Sequence, residues 1–286
     1  MPDTHGARTH WRGLPCLALQ AANGDSALLA LHGAQLLSWV SAGQERLYLS
    51  PQALADGRSA IRGGVPLCFP QFNQRGPLPK HGFARNLPWR VQAQQADGAT
   101  LVLHDDEATR RLWPQGFAAQ LQVQLTPAAL QLTLGVHNCS ASAWDFTAAL
   151  HSYLRVADIG RTRLHGLDGC ARWDAVADRH GRQQGAIGFD GEYDSVLQAS
   201  AASLQLDGGD GLAVHITHSA SWGQVVVWNP GAALCAQLPD MPADGYRQML
   251  CVEAAQIDQR VTLAPGARWS GWQRLQLSNP AAPGPG

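Results

Sequence analysis

Between Leu121 and Leu134 the chain twice alternates apolar and polar residues one by one. Leu121-Gln122-Val123-Gln124-Leu125 is followed, past Pro127, by Leu130-Gln131-Leu132-Thr133-Leu134. A period of two marks extended backbone with one buried face, because successive side chains of a strand point to opposite sides. Two such runs joined by a proline turn predict a hairpin with one face on a core. Short segments of alternating or continuous apolar character recur at 26–31, 35–40, 89–94, 100–104, 146–156, 203–206, 212–217, 224–228, 249–254 and 268–277. Most are bounded by Gly, Pro, Asn or Asp, and no long stretch carries the 3.6-residue period of an amphipathic helix. The pattern predicts an all-β protein.

So many strands, with no repeat and no break in composition, predict one large sandwich of two stacked, mainly antiparallel sheets. Residues 25–277 are assigned to it, 1–24 to a lead-in segment and 278–286, SNPAAPGPG, to a loose tail. With 286 residues, 45% of them hydrophobic, the chain can bury a core of that size. The formal charge of −1, without runs of like sign, argues against nucleic acid or an anionic membrane as partner and for a small molecule. A monomer is expected. The first residues lack the apolar stretch of a secretion signal, and no segment approaches the ~18 apolar residues of a membrane span. Six cysteines without a CxxC pair read as reduced thiols, mostly in the core, which points to the cytoplasm.

Chemistry has few candidate carriers. There is one lysine, Lys80, against twenty arginines, and there are four glutamates, so Schiff-base chemistry would rest on a single position. No phosphate-binding glycine loop, dinucleotide fingerprint, HExxH or GxSxG elbow occurs, and no nucleotide, metal or other cofactor is expected. His215 and His218 are spaced to face opposite sides of a strand. The Pro- and Gly-rich stretch from Ile61 to Trp89 is too long for a turn and has the character of an ordered functional loop. In it Arg62 precedes a Gly-Gly pair suited to close approach of a ligand, and His81 and Arg85 flank Gly82. The arginines could hold an oxyanion or tie loop carbonyls together. His151 lies in an apolar strand, as a core histidine or a functional one. Glu253 shares a strand face with Cys251 and Ala255, and a carboxylate is seldom buried there without a partner, because desolvating the ion is costly or forces its pKa upward.

Seven blocks then stand in order along the chain: IRGGVPLCFP, HGFARNLPW, FTAALHSYLRV, GEYDSVLQ, VVVWNP, MPADGYRQMLCVEAAQI and PGARWSGWQRL. Together they resemble the aldose 1-epimerase superfamily, and within it the branch that acts on hexose 6-phosphates. The resemblance implies a galactose-mutarotase-like β-supersandwich with a sugar cleft across one sheet. By motif position it implies Glu253 as catalytic base, His151 as catalytic acid and His81 as a second active-site histidine. It further implies Asp194 as a ligand for sugar hydroxyls, and Arg62 and Arg85 as arginines meeting the phosphate. Gln71 stands where that branch commonly carries an aromatic residue, which bears on sugar preference.

Interconverting anomers needs a proton removed from the C1 hydroxyl and one delivered to the ring oxygen, which a carboxylate and an imidazolium suffice to do. The two should face each other in one cleft, about 4–8 Å apart. Trp39, Trp113, Trp222 and Trp228 are candidates to stack on a sugar face, or core residues. The rival readings are an epimerase of unphosphorylated aldoses, which would leave the two arginines idle, and a sugar-binding module without catalysis, which would not need the acid–base pair.

Overall fold

The computed structural model describes residues 7–209 and 211–278. The predicted hairpin is present as strands Phe117–Thr126 and Ala129–Asn138, with Leu130 opposite Leu125, Leu132 opposite Val123 and Leu134 opposite Leu121. All six of these side chains are buried. The turn is tight because Pro127 sets its first corner and Ala128 takes a left-handed φ of 58°.

This hairpin sits within an eight-stranded sheet that runs from Arg163–His165 at one edge to Arg90–Gln94 at the other. A second eight-stranded sheet carries, in spatial order, Arg179–Arg182, Ala171–Asp174, Tyr193–Gln198, Gln224–Asn229, Met249–Leu263, Trp144–Leu150 and Leu67–Cys68. Its eighth strand, Tyr153–Arg155, pairs with Met249–Leu263. All pairings between these strands are antiparallel. The only α-helices among the described residues are Glu107–Leu112 and Gly231–Cys235.

Residues 7–20, expected as part of a lead-in segment, instead form strands Ala7–Trp11 and Leu14–Gln20 of a third, five-stranded sheet. Leu17 and Leu19 join the main core, so this sheet packs on the sandwich through its apolar face. The hairpin Ala171–Asp174 with Arg179–Arg182 was also not anticipated, because exposed Arg, Asp and His leave it no apolar period. Of the expected tail, only Ser278 lies within the described residues. Cys139 is exposed and so is not a core thiol, because it follows the end of its strand.

Parity decides what each strand of the second sheet does. Phe146, Ala148, Leu150, Val225, Val227, Leu250, Val252 and Ala254 point into the core shared with the first sheet. The alternate residues, Ala149, Val226, Ala255 and Ile257, form a separate cluster on the opposite face, where Glu253 also emerges. The site is therefore built on the far side of a sheet whose near side is close-packed.

Candidate active site

The expected strand 146–156 breaks at His151 and Ser152, and the break is locally determined. The His151 N–H donates to Pro66 O at 3.0 Å, outside the sheet ladder, while Ser152 turns inward to bond Gln273 Oε1. On either side the register continues, with Leu150 opposite Ala254 and Tyr153 opposite Cys251, so His151 falls opposite Glu253. Glu253 is in turn opposite Val226, and Val226 opposite Val196. The neighbouring row runs Tyr153, Cys251, Trp228, Asp194. These rows floor a cavity of about 250 Å³, lined also by Arg62, Arg75, Lys80, His81, Trp173 and Glu192.

His151 Nε2 lies 3.3 Å from Glu253 Oε1. The pair converges as expected but in direct contact, closer than 4–8 Å, because antiparallel neighbours are held at the short spacing of adjacent strands. Glu253 is 1% exposed, and its Oε2 has no hydrogen-bond partner. Burial, reinforced by the charge of Asp194, raises the Glu253 carboxyl well above the carboxylate range. Burial, with the positive fields of Arg85 and Arg62, lowers His151 to about 3. Both causes favour a neutral pair carrying one proton on the carboxyl.

His81 stands beside this pair, its ring 5.6 Å from that of His151. The Asn73 N–H points at His81 Nδ1 from 3.3 Å and Cys68 Sγ approaches it at 3.1 Å. Burial pushes the Cys68 thiol up, so it too is a donor. Two donors on Nδ1 place the ring proton on Nε2. Burial and His151 together drive the His81 pKa down, so His81 is a neutral imidazole with an N–H to offer. Asp194 on the opposite wall is raised to about 6 by burial and by Glu192.

The loop that carries His81 is stapled by Gln71. Its side chain donates to the carbonyls of Asn73 and Leu78 and accepts the Leu78 N–H. Gln71 therefore shapes the loop from behind, and the next two residues, Phe72 and Asn73, are on the cavity wall. His81 takes a left-handed φ of 65° and Gly82 one of 73°. A Cβ at Gly82 would overlap the Phe69 carbonyl. Gly82→Ala is expected to cost at least about 2 kcal/mol, measurable as a shift of the denaturation midpoint. The Gly63-Gly64 pair meets this chain's own backbone at Tyr48 and Leu36, where glycine allows close approach between segments, and not a ligand as expected.

The two arginines separate. Arg62 lines the cavity, with Nε 3.1 Å from Asp240 Oδ1 and Nη1 donating to the Tyr153 hydroxyl at 3.0 Å. Arg85 is not on the cavity wall; its Nη2 donates to the Lys80 carbonyl at 3.0 Å, the loop-tying alternative. Of the candidate tryptophans, Trp39 and Trp222 are fully buried and Trp113 belongs to an aromatic cluster with Phe69, Phe83, Phe117 and Trp144. Only Trp228 reaches the cavity. Arg75 and Trp173 were not anticipated. The Arg75 guanidinium lies over the Trp173 ring at 5.2 Å and pairs with Asp258 at 2.7 Å. Trp173 stands opposite Val196, in the row of the His151–Glu253 pair, a position visible only once the strand order is known.

Comparison with known proteins agrees with this architecture. A curated protein from Cenchrus ciliaris, 32% identical over 93% of this chain and 85% of its own length, is named "Putative glucose-6-phosphate 1-epimerase". One of the same name from Salmonella typhimurium is 39% identical over 79% of this chain and 78% of its own length. The crystal structure titled a "putative mutarotase (YeaD)" from Salmonella typhimurium superposes with a TM-score of 0.88, at 30% identity, over 98% of this chain and 96% of that one. The aldose 1-epimerase family profile matches residues 15–276. Sequence and superposition thus agree that the chain belongs to the aldose 1-epimerase family.

Proposed function

We propose that this protein is a hexose-6-phosphate mutarotase, an isomerase that interconverts the α and β anomers by opening and reclosing the pyranose ring. The observation that carries this reading is the His151–Glu253 contact at the cavity floor, a buried pair that together holds one exchangeable proton. The cavity's volume, just below the ~300 Å³ at which most small-molecule pockets begin, suits a single sugar unit. Val226 and Val196 offer an apolar floor to a ring face, and Asp194 accepts from its hydroxyls.

The C1 hydroxyl and the ring oxygen share one carbon, so their acid and base need not stand far apart. When sugar binds, the carboxyl proton of the resting neutral pair passes to His151 Nε2, 3.3 Å away, so that a carboxylate and an imidazolium meet the sugar. Glu253 Oε2, which no group of the protein engages, takes the C1 hydroxyl proton, and His151 Nε2 donates its proton to O5. The electron pair of the O–H bond becomes the carbonyl π bond and that of C1–O5 goes to O5. The open aldehyde rotates about C1–C2 and the steps reverse on its other face. Ring opening leaves a neutral carboxylic acid beside a neutral imidazole, the state that burial favours, so the site stabilises the arrangement in which the ring is open. The neutral His81 N–H adds a fixed donor without competing for the proton.

The free buried thiols Cys16, Cys68, Cys235 and Cys251 fit a reducing compartment, which supports a cytoplasmic setting. Among the described residues no helix is long and apolar enough to cross a membrane. The test of function is NMR exchange spectroscopy of anomer interconversion, on glucose 6-phosphate beside glucose. Catalysed exchange on the phosphate ester, well above that on glucose, is expected. Equal exchange on both favours the plain aldose reading, and none on either removes the assignment.

A further inference from the structure

The first sheet contributes no residue to the cavity wall, yet one of its side chains reaches the residues behind the His151–Glu253 pair. Gln273 stands in strand Arg268–Ser278, opposite Leu132 on one neighbouring strand and His218 on the other. It is 1% exposed and crosses the core to the second sheet, where its Oε1 accepts from Ser152 Oγ at 2.5 Å and its Nε2 donates to Val252 O at 3.1 Å. Both partners are chain neighbours of the reacting groups: Ser152 follows His151, and Val252 precedes Glu253. They are tied to each other as well, the Val252 N–H donating to the Ser152 carbonyl at 3.0 Å.

Successive side chains of a strand leave opposite faces, so a hold on residue 252 from behind fixes the direction in which residue 253 leaves the front. The need is greater at His151, where the strand is broken and the N–H turns to Pro66 O. Ladder geometry alone does not set the imidazole's distance from the carboxyl there. Leu132, Val252 and Leu275 around Gln273 belong to the main core, where an apolar side chain of similar volume would avoid the cost of desolvating an amide. Resting on the mutarotase reading, we propose that Gln273 is a positioning residue, its one amide reaching from the opposite sheet to hold His151 and Glu253 at proton-transfer distance.

Gln273→Leu keeps the volume and removes both bonds. In the folded protein its kcat for anomer exchange on glucose 6-phosphate is expected to fall about 10–100-fold with KM near wild type, because a displacement of about 1 Å impairs proton transfer while no group touching the sugar has changed. A purely architectural role would lower Tm and leave kcat of the folded protein as in wild type, and that result overturns the proposal, as does a rise in KM at constant kcat. Ser152→Ala deletes one oxygen and decides the matter if Gln273→Leu does not fold. Its kcat is expected to fall about 3–10-fold, again at constant KM, and a wild-type kcat overturns the proposal. In the double variant the Ser152 change should add nothing to the loss from Gln273→Leu, and multiplying losses overturn their joint action. The His151 ring is stacked on Tyr153 at 4.9 Å, so its Hε1 resonance, identified by its absence from His151→Asn, reports where the ring stands. That resonance is expected to move in Gln273→Leu. An unmoved signal overturns the proposal, even where the wild-type protein exchanges neither glucose 6-phosphate nor glucose, the separate result that removes the mutarotase reading.

Discussion

Glu253→Gln is expected to lower catalysed anomer exchange by about 10²–10⁴-fold while the protein stays folded and still binds sugar phosphate. The amide keeps the shape of the carboxyl, and in a site where burial already favours the neutral acid it brings no unpaired charge. What it loses is basicity at Oε2, the oxygen without a hydrogen-bond partner in the protein. His151→Asn should fall by a similar factor through loss of the proton donor. The two losses should not multiply, because acid and base pass one proton between them and each is idle without the other. Exchange by progress-curve NMR, with binding by calorimetry, checks both. Near-wild-type exchange in either variant would remove the role given to that residue.

The second large effect is on stability against pH, where the two members of the pair act with opposite sign. His151 is lowered to about 3 in the folded protein, against about 6.5 in an unfolded chain. Between these values the unfolded state binds the extra proton, so the stability present above pH 6.5 drains away as pH falls, by up to about 1.4 kcal/mol per pH unit. Glu253 is raised, so the stability it contributes is complete below its ordinary carboxylate value and is lost as pH rises above it. His151→Asn should therefore reduce the slope on the acid side of a Tm–pH profile, leaving the part due to His81, which is lowered in the same direction. Glu253→Gln should flatten the profile on the neutral to alkaline side. Calorimetry across pH 4–9 reads both, and parallel profiles for wild type and variants would show that the pair is not buried in solution as it is here. The same proton sharing predicts that exchange falls off at both ends of the pH range, since the pair works only while it holds one proton.

The all-β character was legible in the sequence because a strand with one buried face writes its geometry directly as a period of two, and Leu121 to Leu125 and Leu130 to Leu134 each carry that period. Glu253 and His151 were legible for a related reason: a carboxylate and an imidazole stand out when their strand neighbours are Cys, Val, Ala and Leu. Strand order, by contrast, is written in no local pattern. That His151 lies opposite Glu253 depends on the register between Trp144–Leu150 and Met249–Leu263, strands far apart in the chain. That Trp173 and Arg75 reach the same cavity depends on two further pairings and a loop. The roles of the cations were hidden for the same reason. Arg62, Arg75, Lys80 and Arg85 are alike as charges in a sequence, and only the folded chain supplies Asp240 to the first, Asp258 to the second and the Lys80 carbonyl to the last. The sequence by itself thus determined the fold class, which follows from local contrast between polar and apolar neighbours, and that contrast marked Glu253 and His151 as candidates, while their roles as base and acid were implied by the family resemblance. The tertiary structure alone decided which charges are spent within the protein, because a charge is neutralised by what lies within a few ångströms in space, not by what lies beside it in the chain.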